Sequence, residues 1–521
     1  MLKYILGLFA VCVLGLTGAG EVGKASADCG EMVKQARHYG FDGPEKERDG
    51  KKAFQYFQSA ADRGCSEGQY GVGWCYANGV GVVQDLTKAA IYYFAAAEQG
   101  YAPAFCALGV CFEKGLGVPQ SFEYADKYYS LAAAAGDPQG QYLLGLNYEY
   151  GKGVRTDLYL AATYYRLAAE QGYGPAQLSL GWCYENGIGV KQSESIAVFW
   201  YERGAERGNA AALYNLGRCY ENGIAVKVNI DKALEYYRKS VLLGDPEAMN
   251  ALGEFYRFGM GVEKDFKRAV DYYRMAADRG YAPAFCNLGL CYQNGIGVQA
   301  DIQKAVDYYH FAAEMNDPRA QALLGKCYFD GAGIAFNLGM ALKYFHLSAG
   351  QGDKYGQFYL GLCNYFGIGM KQSYSEAIHY YKLAAAQNVQ EAVFNLGVIY
   401  QEEAYKERNL KTAVAYYNQA ARMNYAPALN NLGVCYRYGA GVRIEPLLAF
   451  MYIKRAAELG NPTGEFNLSR CYTYGIGTEK DVKAAEEWMK KAKAGGKLVK
   501  HRDIDAILLE KIKLAETMAE N

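Results

Sequence analysis

One phrase returns every 36 residues along this chain, and a fixed period of that length dictates a stacked architecture before composition is weighed. Leu108-Gly109 precedes Cys111, Gly115 and Gly117; Leu180-Gly181 precedes Cys183, Tyr184, Gly187 and Gly189. The anchor is held by Gly73, Gly109, Gly145, Gly181, Gly217, Gly253, Gly289, Gly325, Gly361, Gly397 and Gly433, then by Ser469, each 36 after the last. A second phrase (Ala89, Tyr92-Tyr93, Ala96-Ala97, Gly100) keeps the same beat, with leading alanines from Ala53 to Ala485. Thirteen units, starting at 29, 65, 101, 137, 173, 209, 245, 281, 317, 353, 389, 425 and 461, fill 29–496 without an insertion. The first is degenerate, with Arg37 at its anchor. A chain of 521 residues exceeds one hydrophobic core. A stack of small units solves that problem, because each copy buries the face its neighbour cannot cover alone.

Each unit reads as two helices. Helix A often opens on Asp or Asn followed by Pro, as in Asp137-Pro138, Asp245-Pro246, Asp317-Pro318 and Asn461-Pro462, a capping side chain ahead of a residue whose missing N–H is harmless there. It closes at a Gly-x-Gly pair, where glycine tolerates positive φ. Helix B then begins behind Asp49, Asp85, Ser121, Asp157, Ser193, Asn229, Asp265, Asp301, Asn337, Ser373, Asn409 and Asp481. Twelve short oxygen-bearing side chains at one column are N-caps; Glu445-Pro446 is the exception. Ala89 and Ala96 share a helix face and allow close approach, while the Tyr-Tyr pairs fill space between repeats. The eleventh unit has Gln401-Glu402-Glu403-Ala404 in place of Gly-x-Gly, which predicts a seam near 401–408, by a longer helix A or a local kink.

Leu144 to Val154, Leu-Gly-x-x-Tyr-x-x-Gly-x-Gly-Val, and the Ala-x-x-Tyr-Tyr-x-x-Ala-Ala phrase resemble the Sel-1-like repeat family, relatives of tetratricopeptide repeats. Tetratricopeptide units are shorter, at about 34 residues. The resemblance spans about 470 residues. It implies an all-α, right-handed α-solenoid of about thirteen helix-turn-helix repeats that serves as an adaptor or scaffold. Family members include an adaptor of endoplasmic-reticulum-associated degradation, fungal chitin-synthase regulators and bacterial secreted or periplasmic proteins.

The ends read differently. Lys3, the apolar run Tyr4 to Leu16 and Ala25-Ser26-Ala27 make 1–27 a signal peptide, with cleavage after Ala19 or Gly20 as the rival site. Export is therefore expected: periplasm or secretion in a bacterium, the secretory lumen in a eukaryote. Membrane attachment would come only through an uncleaved signal. Residues 497–521 carry Ile504, Ile507, Leu508 and Ile512 at helical spacing, as a capping helix for the last repeat.

Chemistry finds little purchase. Lys+Arg and Asp+Glu both total 55, which argues against a nucleic-acid partner. Nine of the 14 cysteines share one column with Asn147, Phe255 and Ile399, as packing residues do and metal ligands do not. Neighbouring helices stack roughly 8–10 Å apart, so cysteines of one column are not expected to pair; Cys29 and Cys65 would do so only with a distorted first cap. Gly64-Cys65-Ser66-Glu67-Gly68 matches a nucleophile elbow but lacks the preceding strand. Cysteine-rich relatives have carried a β-lactamase-like label, but no serine here has lysine three residues later. No catalytic, metal or cofactor residue is expected.

Function in a solenoid lives in variable columns on a constant frame. On helix A, the columns three before, one after and four after the anchor share a face. The first holds Tyr70, Tyr142, Tyr214 and Phe358; the second Trp74, Trp182 and Arg218; the third Glu113, Glu149, Glu185, Glu221, Arg257, Phe329, Tyr365 and Arg437. Aromatic and arginine side chains are the residues of binding hot spots. The four glutamates form an acidic stripe suited to a basic segment. The expected partner is a protein or peptide on a concave helix-A face, or alternatively a periplasmic or cell-wall glycan stacked on exposed rings.

Overall fold

The computed structural model describes residues 22–494. They form twenty-six α-helices, with a π-helical turn at His38–Asp42, a 3-10 turn at Glu45–Glu47, and no strand among the described residues. The chain divides into two compact units, Met1–Ala248 and Met249–Asn521. Each is an α-solenoid segment in which successive helices pack as antiparallel pairs. Repeats are numbered 1 to 13 here, and most helices span thirteen residues, as in helix A Gly174–Asn186 and helix B Glu194–Glu206 of repeat 5.

Helix B begins where its caps demand. The Asp85 carboxylate accepts from the Lys88 N–H at 2.9 Å, and the same bond recurs at Asp157, Asn229, Asp301 and Asn409. Each satisfies an N–H with no partner inside the helix. Glu445 makes no such bond, and Pro446 opens that helix instead. Helix A ends on a left-handed glycine, Gly187 with φ 70°, whose N–H returns to the Cys183 carbonyl. The second glycine of the pair has another task. A Cβ on Gly117 would overlap the Leu86 carbonyl, and one on Gly189 that of Leu158. Each second glycine therefore lets its loop lie against the first turn of the preceding helix B. Repeat 6 alone puts an alanine there, Ala225, at φ 54°.

The two tyrosines of helix B have separate roles. The first stacks on the tyrosine three after the anchor, as Tyr164 does on Tyr148 with centroids 5.8 Å apart and Tyr308 on Tyr292 at 5.5 Å. The second lies over the anchor glycine: a Cβ on Gly181 would intrude on the Tyr201 ring, and one on Gly289 on Tyr309. That ring also packs under the next repeat, as Tyr165 does against Ala176, Leu180 and Cys183. The pair therefore closes its own hairpin as well as the gap between repeats. Burial of such rings beside alanine is the main cohesive force of the stack.

The Cys29–Cys65 pairing departs from expectation, whereas the irregular loop of repeat 11 falls within the seam expected at 401–408. Cys29 and Cys65 are disulfide-bonded, with Cα atoms 6.4 Å apart. The bond is reached because Cys65 precedes its helix as the N-cap residue, outside the packed helical column. In repeat 11 helix A stops at Gln401, and Glu402 turns extended with ψ 133°. That loop is held by Tyr405 against Tyr374 and Tyr400 (5.6 and 5.7 Å) and by Arg408 donating to the Gln401 carbonyl at 3.0 Å. At the N-terminus, helix Val22–Arg37 runs through Ala25-Ser26-Ala27. Residues 1–21 of the signal segment and the capping helix at 497–521 lie outside the described residues.

Candidate binding face on the first helices

Helices A of adjacent repeats touch one another in both units, for example Ala102–Lys114 with Pro138–Tyr150 and Ala426–Tyr438 with Pro462–Tyr474. The three variable columns lie on these helices. The structure assigns those columns unequal work.

The acidic stripe is bonded from within. The Tyr129 hydroxyl donates to Glu113 at 2.9 Å, Tyr201 to Glu185 at 2.7 Å and Tyr237 to Glu221 at 2.5 Å, and Tyr165 donates to Glu149. Each donor lies sixteen residues after its acceptor. Glutamine takes the acceptor role in repeats 8 and 11, where Tyr309 meets Gln293 at 2.6 Å and Tyr417 meets Gln401 at 2.7 Å. Cations close two of the four acids. Lys152 reaches Glu113 at 2.9 Å, and Arg218 reaches both oxygens of Glu185 at 2.6 and 2.7 Å. Burial pushes the Glu113 carboxyl up, but bonds from Lys152 and Tyr129 outweigh it and hold the group below its ordinary range. Glu185 behaves alike, with burial outweighed by Arg218 and Tyr201. The stripe is thus half neutralised, leaving Glu149 and Glu221 without a cation among the described residues.

The other columns are also partly core. Tyr70, Tyr142 and Tyr214 lean on Tyr93, Tyr165 and Tyr237 at 5.5, 5.6 and 5.7 Å, and Phe358 on Tyr381 at 6.0 Å. Trp74 is half-buried against Phe41 at 5.2 Å. Phe329 is only 7% exposed and packs on Phe345, so it belongs to the core in this arrangement. Tyr365 donates to Glu402 at 3.0 Å. Arg257 and Arg437 lie over Phe258 and Tyr438, both at 5.1 Å. Trp182, 44% exposed, is the most open of the expected aromatics.

A fourth column, five after the anchor, is absent from the sequence-derived set. Tyr150, Phe258, Tyr438 and Tyr474 are 63%, 55%, 60% and 60% exposed. Its signal was readable. In four other repeats the position is asparagine, and Asn78, Asn186, Asn222 and Asn294 bond back to their own helix carbonyls at 2.9 to 3.0 Å. A large ring in place of a self-satisfied asparagine marks a side chain with nothing to do inside its helix.

Among the described residues no cluster of three or more His, Cys, Asp or Glu is placed to hold a metal, and no helix is long and apolar enough to cross a membrane. The eleven free cysteines among the described residues are all buried. Burial pushes their thiols up, Cys111 and Cys435 to about 11. An open groove of about 700 Å³ lies between helix B of repeat 4 and the loop of repeat 5, with Tyr159, Arg166, Tyr184 and Lys191 in its wall.

The Sel1 repeat model matches thirteen consecutive segments, from 35–65 through 66–101 to 462–497. This chain is a member of the Sel1 repeat family. Among solved structures, it is 30% identical to a protective antigen with an SLR fold from uropathogenic Escherichia coli strains, covering 85% of this chain and 93% of that one with a TM-score of 0.56. A Sel1 repeat protein from Oxalobacter formigenes is 27% identical over 62% of this chain and 99% of that one, with a TM-score of 0.42. No curated protein matches. This Sel1 repeat protein therefore has the fold of an interaction scaffold, and its variable helix-A columns are where members of one repeat frame can differ.

Proposed function

We propose that this Sel1 repeat protein is an exported adaptor that holds a protein or peptide along the concave helix-A face and performs no chemistry of its own. The observation that carries the reading is the set of open rings Tyr150, Trp182, Phe258, Tyr438 and Tyr474 on helices otherwise locked by caps and buried tyrosines. Rigid aromatic anchors lose little entropy on binding and dominate interface energetics. A basic stretch of the partner suits Glu149 and Glu221. Export is supported by the Cys29–Cys65 bond, which an oxidising compartment favours, and by the burial of the remaining described thiols away from exchange. Helix Val22–Arg37 favours cleavage after Ala19 or Gly20 over cleavage after Ala27, which would cut inside that helix.

The test is photo-crosslinking in the native host, with the reactive group at Trp182 or Tyr438 and a control at Leu131, an exposed residue of helix B. One partner captured at the helix-A positions and not at Leu131 supports the adaptor; equal capture at all three ends it. Trp182→Ala should weaken that capture about tenfold. Glycan stacking is the second reading, favoured by Tyr150 and Trp182, on which no cation packs among the described residues. A panel of cell-wall fragments that quenches Trp182 fluorescence would select it.

A further inference from the structure

The groove between repeats 4 and 5 opens where three covers found in other repeats are missing. The tyrosine three after the anchor is elsewhere stacked by the first tyrosine of helix B, as Tyr76 is by Tyr92 at 5.9 Å, Tyr220 by Tyr236 at 5.6 Å and Tyr292 by Tyr308 at 5.5 Å. In repeat 5 that tyrosine is Tyr184, and Trp200 stands in the stacking place. Trp200 packs edge-on against Phe199 at 5.1 Å, and no ring stacks on Tyr184 among the described residues. A lysine early in helix B lies over the ring in other repeats, Lys88 over Tyr76 at 5.2 Å, Lys232 over Tyr220 at 4.8 Å and Lys304 over Tyr292 at 5.5 Å. Repeat 5 has the exposed Ile196 there. The third cover comes from the preceding helix B, where Arg274 donates to the Tyr292 hydroxyl at 3.4 Å. Arg166 holds the same position before Tyr184, and its guanidinium makes no hydrogen bond or ion pair among the described residues.

Repeat 8 keeps all three covers, and its hollow at the same place holds about 390 Å³ against about 700 Å³ in repeat 5. The charges differ as well. In repeat 8 the capping Asp301 lies in the wall with Lys304 and pairs with it at 3.6 Å. In repeat 5 the cap is the neutral Ser193, and the wall holds Arg166 and Lys191 with no carboxylate. Neither cation is ion-paired among the described residues. The larger hollow has the size of ligand sites, about 300–1,000 Å³. Unpaired cations beside rings call for an occupant that brings negative charge and an apolar body together.

We propose that this groove docks an acidic segment of a protein partner, with an aromatic side chain laid against Tyr184 and Ile196 and the adjacent carboxylates on Arg166 and Lys191. Those carboxylates supply charge-assisted bonds, about twice as strong as neutral ones. The wall contains none of the helix-A binding residues, so the site stands whether or not that face binds.

The full chain is titrated by fluorescence anisotropy against a fluorescein-labelled peptide carrying Glu-Phe-Glu between serines, and against its Gln-Phe-Gln and Glu-Ala-Glu counterparts. The first should bind about tenfold tighter than either counterpart. Arg166→Gln should weaken it about tenfold and Lys191→Gln about threefold. Ser193→Asp with Ile196→Lys rebuilds the cap and cover of repeat 8 on a helix that keeps its N-cap, and should abolish binding with the melting temperature unchanged. Lys304→Gln, in the hollow of repeat 8, should leave binding as it is. No binding by the parent chain, equal binding of the three peptides, or undiminished binding in Arg166→Gln or in Ser193→Asp with Ile196→Lys overturns the site. An equal loss in Lys304→Gln also overturns it, since bulk charge would then account for the attraction.

Discussion

The helix-A faces of the two units share one frame, but one column is uniform through four repeats of the first and mixed in the second. In Met1–Ala248, four consecutive repeats place glutamate under a helix-B tyrosine, and Lys152 and Arg218 bridge to the acids from the next repeat. In Met249–Asn521 the same column reads Arg257, Gln293, Phe329, Tyr365, Gln401, Arg437 and Thr473. The partner across the hairpin changes with it. Phe329 faces Phe345, with no hydroxyl to satisfy, and Arg437 is matched by Ile453. Among the described residues of that unit, Tyr273 and Tyr381 keep a buried hydroxyl without an acceptor in this column. A column that is acidic through four repeats of one unit is thus mixed in the other, where Gln293 and Gln401 keep the bond, Phe329 replaces it by ring packing, and Arg257 and Tyr365 offer no acceptor.

The largest expected effect tests the shared frame. Gly181→Val and Gly289→Val each force a side chain into the Tyr201 or Tyr309 ring, and each should destabilise its unit by about 3 kcal/mol in urea melts. A loss in one unit alone would mean that the anchor is not the common device. The next effect separates the units. Tyr201→Phe leaves a half-buried, charged Glu185 short of a donor and should cost about 1–2 kcal/mol, whereas Tyr273→Phe removes a buried hydroxyl that has no acceptor and should be neutral or stabilising. Equal losses would erase the contrast.

Acid should sharpen it further. Glu113 and Glu185 are held below the ordinary carboxyl range in the folded chain, so their contribution is present above the unfolded value and is lost as the pH falls through their depressed folded values. Protease nicking on acidification should therefore begin in residues 102–222. Glu113→Gln with Glu185→Gln should flatten that response, and an unchanged acid profile would remove these carboxyls from it. The smallest effect is at Ala225. Its left-handed φ of 54° is strained for any residue with a Cβ, so Ala225→Gly should raise stability by about 0.5–1 kcal/mol. A loss would show that the methyl packs usefully.

The frame was legible because it is local. Twelve N-caps, the left-handed glycines and the alanine columns follow from what a backbone needs at helix ends and close contacts, and such needs repeat wherever the period does. The binding columns were legible as variable positions, not as free ones. Nothing in Glu113 taken alone says that Tyr129 consumes it. The clue was the pairing of two columns sixteen residues apart, glutamate or glutamine with tyrosine, phenylalanine with phenylalanine. The Cys29–Cys65 bond escaped the same reasoning because a rule for packed helices does not govern a cysteine that sits just before one.

Periodicity alone determined that this chain is a stack of helical hairpins and where each helix begins and ends, since capping and glycine geometry act over a few residues. Tertiary structure decided which polar groups remain unspent. Whether Glu185 is a docking charge or an internal acceptor, and whether the Tyr273 hydroxyl is met or orphaned, depends on atoms from another helix arriving within about 3 Å. Helical spacing says which residues share a face; only packing says which of them still have a bond to offer.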